Sequence, residues 1–507
     1  MPLKPEALDY ESLFHKPRRH SRETDAEVWP SSGKLKSFDQ EVEESNSSTK
    51  AQIPIRPTLV TTSRDWFRRR GHTLSFCGIF LFSVILYYRP YELIPALSSL
   101  TSMAFYTGVA TLVIYAFAQL SIEGNLTARP KEINLVLLLG VAAFLSMPMA
   151  GDPGYAWKTF SEMLLKTIVI FIVIVNVVRT EGRLKLLLWL VLVVSIYLSV
   201  NAINDYRYGL YGTGALESHD VRIAGRIKGL FENSNDLALH LVTMIPIAVG
   251  LGLSGRGLFK KLIYFGGTAL MIGAVVVTFS RGGFLGLVAA VFMLVRRLGR
   301  KNRVATTGAL VFAIIVFLAL APGSYSGRLS TLFDSSADLT GSSSQRTEVL
   351  KRSIWVALRY PLFGVGIGNF HFKSPRELES HNAYTQVASE MGLAAAVIYI
   401  LFLIHPLRRL RLIENQSYEK PDQTRFYYLS VGLQASLVGF MVSSFFGAVA
   451  YQWYVYYLVA YAVCLHRLYI MKTQPENDLA GVLWKQPFAK NTEKLVAAQT
   501  ASQLGRA

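Results

Sequence analysis

Charged residues are scarce in this sequence, and acidic residues are scarcer than basic ones. Only 17% of the 507 residues are charged, whereas 51% are hydrophobic, which excludes a soluble globular domain of ordinary composition. Lysine and arginine outnumber aspartate and glutamate by 52 to 34, a net charge of +18. In a membrane protein such an excess collects in cytoplasmic loops. The charge therefore indicates topology rather than nucleic-acid binding.

Cysteine is nearly absent as well. Cys77 and Cys464 both lie in apolar runs, so neither a disulfide framework nor a zinc site is expected. No cluster of His, Cys, Asp and Glu has the spacing of metal ligands, since His371 and His381 are ten residues apart across a predicted loop. We therefore expect no metal and no other cofactor.

Long apolar runs fill the middle of the chain. Most approach the ~20 residues that a helix needs to cross a bilayer, and lipid offers no partner to an open strand edge. The pattern predicts an all-α polytopic membrane protein with about 12 transmembrane helices, at roughly 73–88, 93–120, 133–149, 162–178, 184–203, 236–253, 262–279, 282–295, 304–321, 383–404, 427–446 and 450–470.

Polar segments flank this membrane domain, which is expected to span residues 73–471. Residues 1–72 and 472–507 lack an apolar period, and the first of these tails is predicted to be disordered. The first apolar run has no small-residue cleavage site behind it, so we expect it to remain as an anchor. Basic stretches occupy every second loop if both termini are cytoplasmic. Two large loops, 204–235 and 322–382, are then periplasmic.

Both of these outer loops contain basic residues where the charge rule does not expect them. Cations kept on the translocated side suggest an anionic ligand such as a phosphate. Residues 344–360 have the pattern of an amphipathic helix, which we expect on the outer membrane surface. The basic residues are Arg207, Arg222, Arg226 and Lys228 in the first loop, and Arg328, Arg346, Lys351, Arg352, Arg359, Lys373 and Arg376 in the second.

Arg281 stands in Ser280-Arg281-Gly282-Gly283, at a predicted turn between two helices. The run that follows, 282–295, is only about 21 Å long as a helix, which is expected to place Arg281 below the outer membrane surface. It is then either a clamp for a lipid-linked diphosphate or a snorkelling arginine that anchors a hairpin. The high energy of an intramembrane charge favours the clamp.

Ser380-His381-Asn382 stands immediately before the apolar run 383–404. The imidazole is the side chain that titrates near neutral pH, so His381 is a candidate proton acceptor. The alternative is a structural role, in which His381 caps the following helix or bonds a loop carbonyl. Further upstream, Asn233 and Asn235 are either an ordinary helix N-terminus or ligands of a sugar or lipid.

The string from Arg346 through Gly364-Val365-Gly366-Ile367-Gly368-Asn369, His381-Asn382 and Glu390-Met391-Gly392-Leu393 resembles the O-antigen ligase and polymerase superfamily. The resemblance spans roughly 225–405 and includes the segments around Asn233 and Arg281. The ligase signature of His, then Asn, Ser or Gln, then nine residues and a glycine is met by His381, Asn382 and Gly392. Ala395 stands where ligases often repeat a glycine, so ligase and polymerase both stay open.

The resemblance implies a GT-C-like, metal-independent glycosyltransferase of the bacterial inner membrane. Such an enzyme takes a glycan from undecaprenyl diphosphate on the periplasmic side and joins it to a hydroxyl of a glycolipid, glycan or protein. His381 is then the base, and Asn382 positions it or the acceptor. The remaining candidates are Arg281, Arg226, Lys228 and Arg346 for the diphosphate, and Asn233 and Asn235 for the substrate.

Several functions share this donor chemistry. A ligase that moves finished polysaccharide to lipid A-core leads, followed by an O-antigen or exopolysaccharide polymerase and a protein O-oligosaccharyltransferase. A transporter or flippase is the different class, but such proteins place ionisable residues or broken helices at mid-membrane and often have repeated halves. Here the predicted helix centres are almost free of charge and no repeat is evident. A receptor or scaffold would leave the outer arginines and His381 unexplained.

Overall fold

The computed structural model describes residues 72–89, 102–209, 233–301 and 342–473, with isolated positions at 91, 223, 225, 231 and within 303–315. The regular secondary structure of these residues is helical. Its α-helices are α1 (Thr73–Tyr88), α2 (Met103–Glu123), α3 (Lys131–Ser146), α4 (Pro153–Val177, with a π-helical segment at Phe160–Leu165), α5 (Glu181–Arg207), α6 (Ser234–Ser254), α7 (Leu258–Val277), α8 (Arg281–Leu298), α9 (Ser342–Arg359), α10 (Ala383–Met391), α11 (Leu393–Ser417), α12 (Thr424–Ser443) and α13 (Trp453–Thr473).

Nine of the described helices, α2 to α7 and α11 to α13, are long and apolar enough to cross a membrane. The prediction of an all-α polytopic membrane protein is therefore confirmed. Eleven of the twelve predicted apolar runs coincide with described helices. The twelfth run, 304–321, lies almost entirely outside the described residues, so the count of twelve transmembrane helices stays a prediction. Nearly all of both polar tails, together with Arg226 and Lys228, also lies outside the described residues.

Helices α6, α12 and α13 form the centre of the bundle, with 72% to 89% of their apolar windows buried. Glycine permits the closest contact between α6 and α12, since a Cβ on Gly432 would lie 2.6 Å from the Pro246 carbonyl oxygen. Ser436 Oγ also donates to the Thr243 carbonyl at 2.6 Å. These contacts hold the middle of α6 against the middle of α12.

The run predicted as one helix at 383–404 is instead two helices, α10 and α11, separated by Gly392. Gly392 has a φ of +92°, a left-handed conformation that favours glycine. A Cβ there would also lie 2.3 Å from the Leu362 carbonyl oxygen. The prediction of one helix was wrong because the length of an apolar run does not reveal a helix break that a distant loop stabilises.

Helix α9 occupies the segment predicted to be amphipathic. Val349 and Val356 are buried against the loop that follows the helix. Ile354, Trp355 and Leu358 are exposed, so α9 presents an apolar surface away from that loop.

Candidate active site

His381 and Asn382 precede the short helix α10, and each has a distinct local role. Asn382 is the N-cap, since its Oδ1 accepts the backbone N–H groups of Tyr384 (2.9 Å) and Thr385 (3.1 Å). His381 has a φ of +48°, a left-handed conformation that is strained for a non-glycine residue. Because Asn382 supplies the cap, the cap is not the role of His381. The cap and the left-handed turn together fix the backbone position from which the half-buried side chain of His381 extends.

The surroundings of His381 favour its neutral form. Burial lowers the pKa of His381, and the positive charge of Arg346 on α9 lowers it further. A neutral imidazole has an unprotonated ring nitrogen that can accept a proton at neutral pH. Arg346, predicted from sequence as a diphosphate ligand, therefore lies within electrostatic range of the predicted base.

The start of α10 is attached to the end of α12. Tyr384 Oη donates to the Met441 carbonyl at 2.8 Å, and Ser444 Oγ donates to Tyr384 Oη at 3.1 Å. The Tyr384 ring also packs on Phe445, with ring centroids 4.6 Å apart. These contacts place His381 beside the segment that connects α12 to α13.

Arg281 is the first residue of α8, and the N-terminus of α8 is tied to that of α6. Ser280 Oγ accepts the Gly283 N–H at 3.1 Å and donates to Asn235 Oδ1 at 2.8 Å. Gly283 has a packing role, since a Cβ there would lie 2.5 Å from Ala238 Cβ on α6. The hairpin predicted around Arg281 is therefore present, with α6 held against it.

The end of α12 and the segment after it also reach this hairpin. Ser443 Oγ donates to the Gly282 carbonyl at 3.1 Å, and a small cleft is lined by Asn235, Asp236, Leu239, Ser280, Gly282, Gly283, Ser443, Phe446, Gly447 and Val449. Glu379, two residues before His381, interacts electrostatically with Asp236 in the first turn of α6. The N-termini of α6, α8 and α10 thus meet at one end of the bundle, here called the site end. Helix N-termini favour anions through their free N–H groups and their dipoles.

The two asparagines predicted to bind substrate both act at the start of α6. Asn233 is the N-cap, with its Oδ1 accepting the Asn235 N–H at 2.9 Å. Asn235 Oδ1 accepts from Ser280, as described above. Both oxygens therefore have structural partners, which leaves the amide N–H groups for any substrate.

The glycine-rich stretch 364–368 packs around the far end of α10. Gly364, Gly366 and Gly368 all have positive φ values, of 65°, 92° and 74°. A Cβ on Gly364 would lie 2.4 Å from the Glu390 carbonyl carbon, and the Val365 N–H donates to the Ser389 carbonyl at 2.9 Å. The glycines are thus explained by close approach to α10.

Glu390 connects this glycine loop to the segment before α13. Its Oε2 accepts the Gly368 N–H at 2.8 Å and the Tyr451 hydroxyl at 2.7 Å. Burial raises the pKa of Glu390 to about 7, although these two donors and the Phe370 backbone favour the ionised form. Nothing in the sequence indicated Tyr451 as the partner of Glu390, since the two residues are 61 apart.

A family model described as O-antigen ligase matches residues 266–400. The match supports the resemblance of this segment to the O-antigen ligase and polymerase superfamily. A comparison with curated proteins found no significant match.

The O-antigen ligase segment contains Arg281, Arg346, His381, Asn382 and Glu390. Asn233 and Asn235 precede it but reach it through the hydrogen bond from Ser280. The match supports a membrane glycan-transfer enzyme of the ligase or polymerase type. Among the residues that the structure describes, no group of three or more His, Cys, Asp and Glu side chains has the arrangement of a metal site.

Proposed function

We propose that this protein transfers a glycan from undecaprenyl diphosphate to an acceptor hydroxyl at the periplasmic face of the bacterial inner membrane, as an O-antigen ligase does. The observation that carries the proposal is the place of His381, half-buried directly before α10 and within electrostatic range of Arg346, at the end of the bundle where α6 and α8 also begin. This arrangement offers a neutral base beside groups that stabilise an anion.

In the proposed step the acceptor hydroxyl transfers its proton to the imidazole of His381. The hydroxyl oxygen forms a bond to the anomeric carbon of the donor glycan as the bond between that carbon and the phosphate oxygen breaks. Undecaprenyl diphosphate departs with the bonding electron pair. Because diphosphate is already a good leaving group, the enzyme needs cations for its charge and a base for the proton.

The proposed cations come from three elements. Arg281 begins α8 and Arg346 lies on α9, and Arg226 and Lys228 precede α6 in the sequence. Guanidinium groups suit the task because each can donate two parallel hydrogen bonds to phosphate oxygens. We assign Asn382 to positioning, since its cap fixes the start of α10 directly after His381.

The acceptor class is read from the glycolipids of cells that lack the protein. If long chains accumulate on the undecaprenyl carrier while lipid A-core stays bare, the protein is a ligase. Core that carries single repeats identifies a polymerase. If both pools are unchanged, another acceptor or a transport function replaces this proposal.

Complementation with His381→Ala tests the chemistry in the same cells. We expect normal membrane insertion and a 10²- to 10⁴-fold loss of transfer, the usual contribution of a general base. His371→Gln is the matched control, since His371 is another histidine of this loop and bonds the Gly368 carbonyl through Nδ1. Wild-type transfer by His381→Ala would remove His381 as the base.

A further inference from the structure

A shallow groove lies at the end of the bundle opposite the site end. It is formed where α5 and α12 begin and α13 ends. Its wall is apolar, and its rim carries charged side chains; the lining residues are Glu181, Leu184, Lys185, Arg425, Phe426, Leu429, Leu465 and Leu468.

Positive charge predominates around this groove. Lys185 interacts electrostatically with Arg425, Lys472 and Lys260, which come from three other helices. The Lys472 ammonium also lies 5.3 Å from the centroid of the Phe426 ring. Two cations, Lys185 and Arg425, therefore line the apolar surface, and two more, Lys472 and Lys260, lie within electrostatic range of Lys185.

Acidic groups neutralise only part of this charge. Glu181 forms ion pairs with Lys472 at 3.3 Å and with Lys185 at 3.8 Å, so one carboxylate is shared between two lysines. Asp422, near the start of α12, interacts electrostatically with Tyr469 on α13. Arg425 and Lys260 add two further positive charges. The cluster thus keeps an excess of positive charge beside a hydrocarbon-like wall.

We propose that this groove binds an anionic phospholipid, with one acyl chain on the apolar wall and the phosphate between Lys185 and Arg425. A phosphate diester would relieve the repulsion among the cations, and the acyl chain would cover apolar surface that otherwise faces the membrane. Trp189, one helical turn along α5 from Lys185, is 46% exposed. An exposed tryptophan at that position suits the interface between lipid headgroups and acyl chains.

The proposal is tested with purified full-length protein in detergent, titrated with dioleoyl phosphatidylglycerol and followed by native mass spectrometry. The variant is Lys185→Gln with Arg425→Gln, and the matched control is Arg408→Gln with Arg411→Gln, which removes two exposed cations of α11. We expect an affinity loss of about 30-fold in the first pair only, since each basic residue near an anionic membrane contributes about fivefold.

Two comparisons identify the ligand. Phosphatidylethanolamine, whose headgroup is zwitterionic, should bind more weakly than phosphatidylglycerol, and inorganic phosphate should not compete. The charge-preserving exchange of Lys185→Arg with Arg425→Lys should retain binding, which separates loss of charge from misfolding. Equal loss in both Gln pairs, equal binding of the two lipids, or competition by phosphate would overturn the proposal. The experiment does not depend on glycan transfer.

Discussion

The Glu390→Gln substitution should make the protein more stable at alkaline pH. Glu390 is 5% exposed, and burial raises its pKa from 4.5 to about 7. The folded protein therefore keeps the proton of Glu390 to a higher pH than the unfolded chain does. Between pH 4.5 and about 7 the folded state binds more protons, so the free energy of unfolding falls as the pH rises through this window and is level above it.

The size of this effect follows from the two pKa values. Their difference corresponds to a destabilisation of about 3 kcal/mol at pH 8, at 1.36 kcal/mol per pKa unit, and to less than about 1 kcal/mol at pH 5. Glutamine is uncharged, and its side-chain oxygen still accepts a hydrogen bond from Tyr451 or Gly368. We therefore expect Glu390→Gln to gain roughly 2 kcal/mol relative to the wild type between pH 5 and pH 8.

The assay is thermal unfolding in detergent at a series of pH values, compared between variant and wild type. Other groups that titrate in this range contribute to both proteins, so the difference isolates Glu390. Glu377→Gln is the control, because Glu377 belongs to the same loop region and is exposed. Parallel stability curves for Glu390→Gln and the wild type from pH 5 to pH 8 would refute the reasoning.

A second variant tests whether the hydrogen bond from Tyr451 lowers the pKa of Glu390. The Tyr451 hydroxyl donates to the Glu390 carboxylate and so opposes the effect of burial. Removing it with Tyr451→Phe should raise the pKa of Glu390 further. The decline in stability should then extend to higher pH than in the wild type.

Three further predictions concern the residues around α10. Arg346→Gln should move the pKa of His381 back up towards its ordinary value. The acidic limb of the pH–rate profile for glycan transfer should therefore shift to higher pH. An unmoved limb would argue against an interaction between Arg346 and His381. Asn382→Ala should lose the cap of α10 and about 1 kcal/mol of stability, whereas Asn382→Asp should keep both. Gly364→Ala should destabilise the protein by more than 1 kcal/mol, because the φ of Gly364 is +65° and a Cβ there would clash with the Glu390 backbone. The control is Gly266→Ala on α7, where a Cβ meets no atom within 4 Å. This control should be neutral or stabilising in the same thermal assay.

Apolar runs predicted the described helices well because lipid imposes a simple requirement. Each spanning segment must satisfy its own backbone hydrogen bonds and present apolar side chains for about 20 residues. That requirement does not depend on contacts elsewhere in the chain, so it can be read locally. It failed at Gly392, where the break depends on the Leu362 carbonyl 30 residues earlier.

The candidate site was predictable only where a residue type carried its own chemistry. His381 and Arg346 could be proposed from charge, position and resemblance. The hydrogen bond between Ser280 and Asn235 joins residues 45 apart, and the bond between Tyr451 and Glu390 joins residues 61 apart. Periodicity contains no information about such partners. The left-handed backbone conformation of His381 could not be predicted either, since positive φ values are expected from sequence mainly at glycine.

The separation of α10 from α11 explains why so many contacts converge on a helix of only nine residues. A helix this short is not stable by itself, so its position depends on what attaches its two ends. Tyr384 and Asn382 fix the start of α10, and Glu390 with Gly364 fixes its end. In our proposal the catalytic imidazole directly precedes this helix. A carboxyl group that destabilises the protein at alkaline pH then contributes to the site by fixing the far end of this helix.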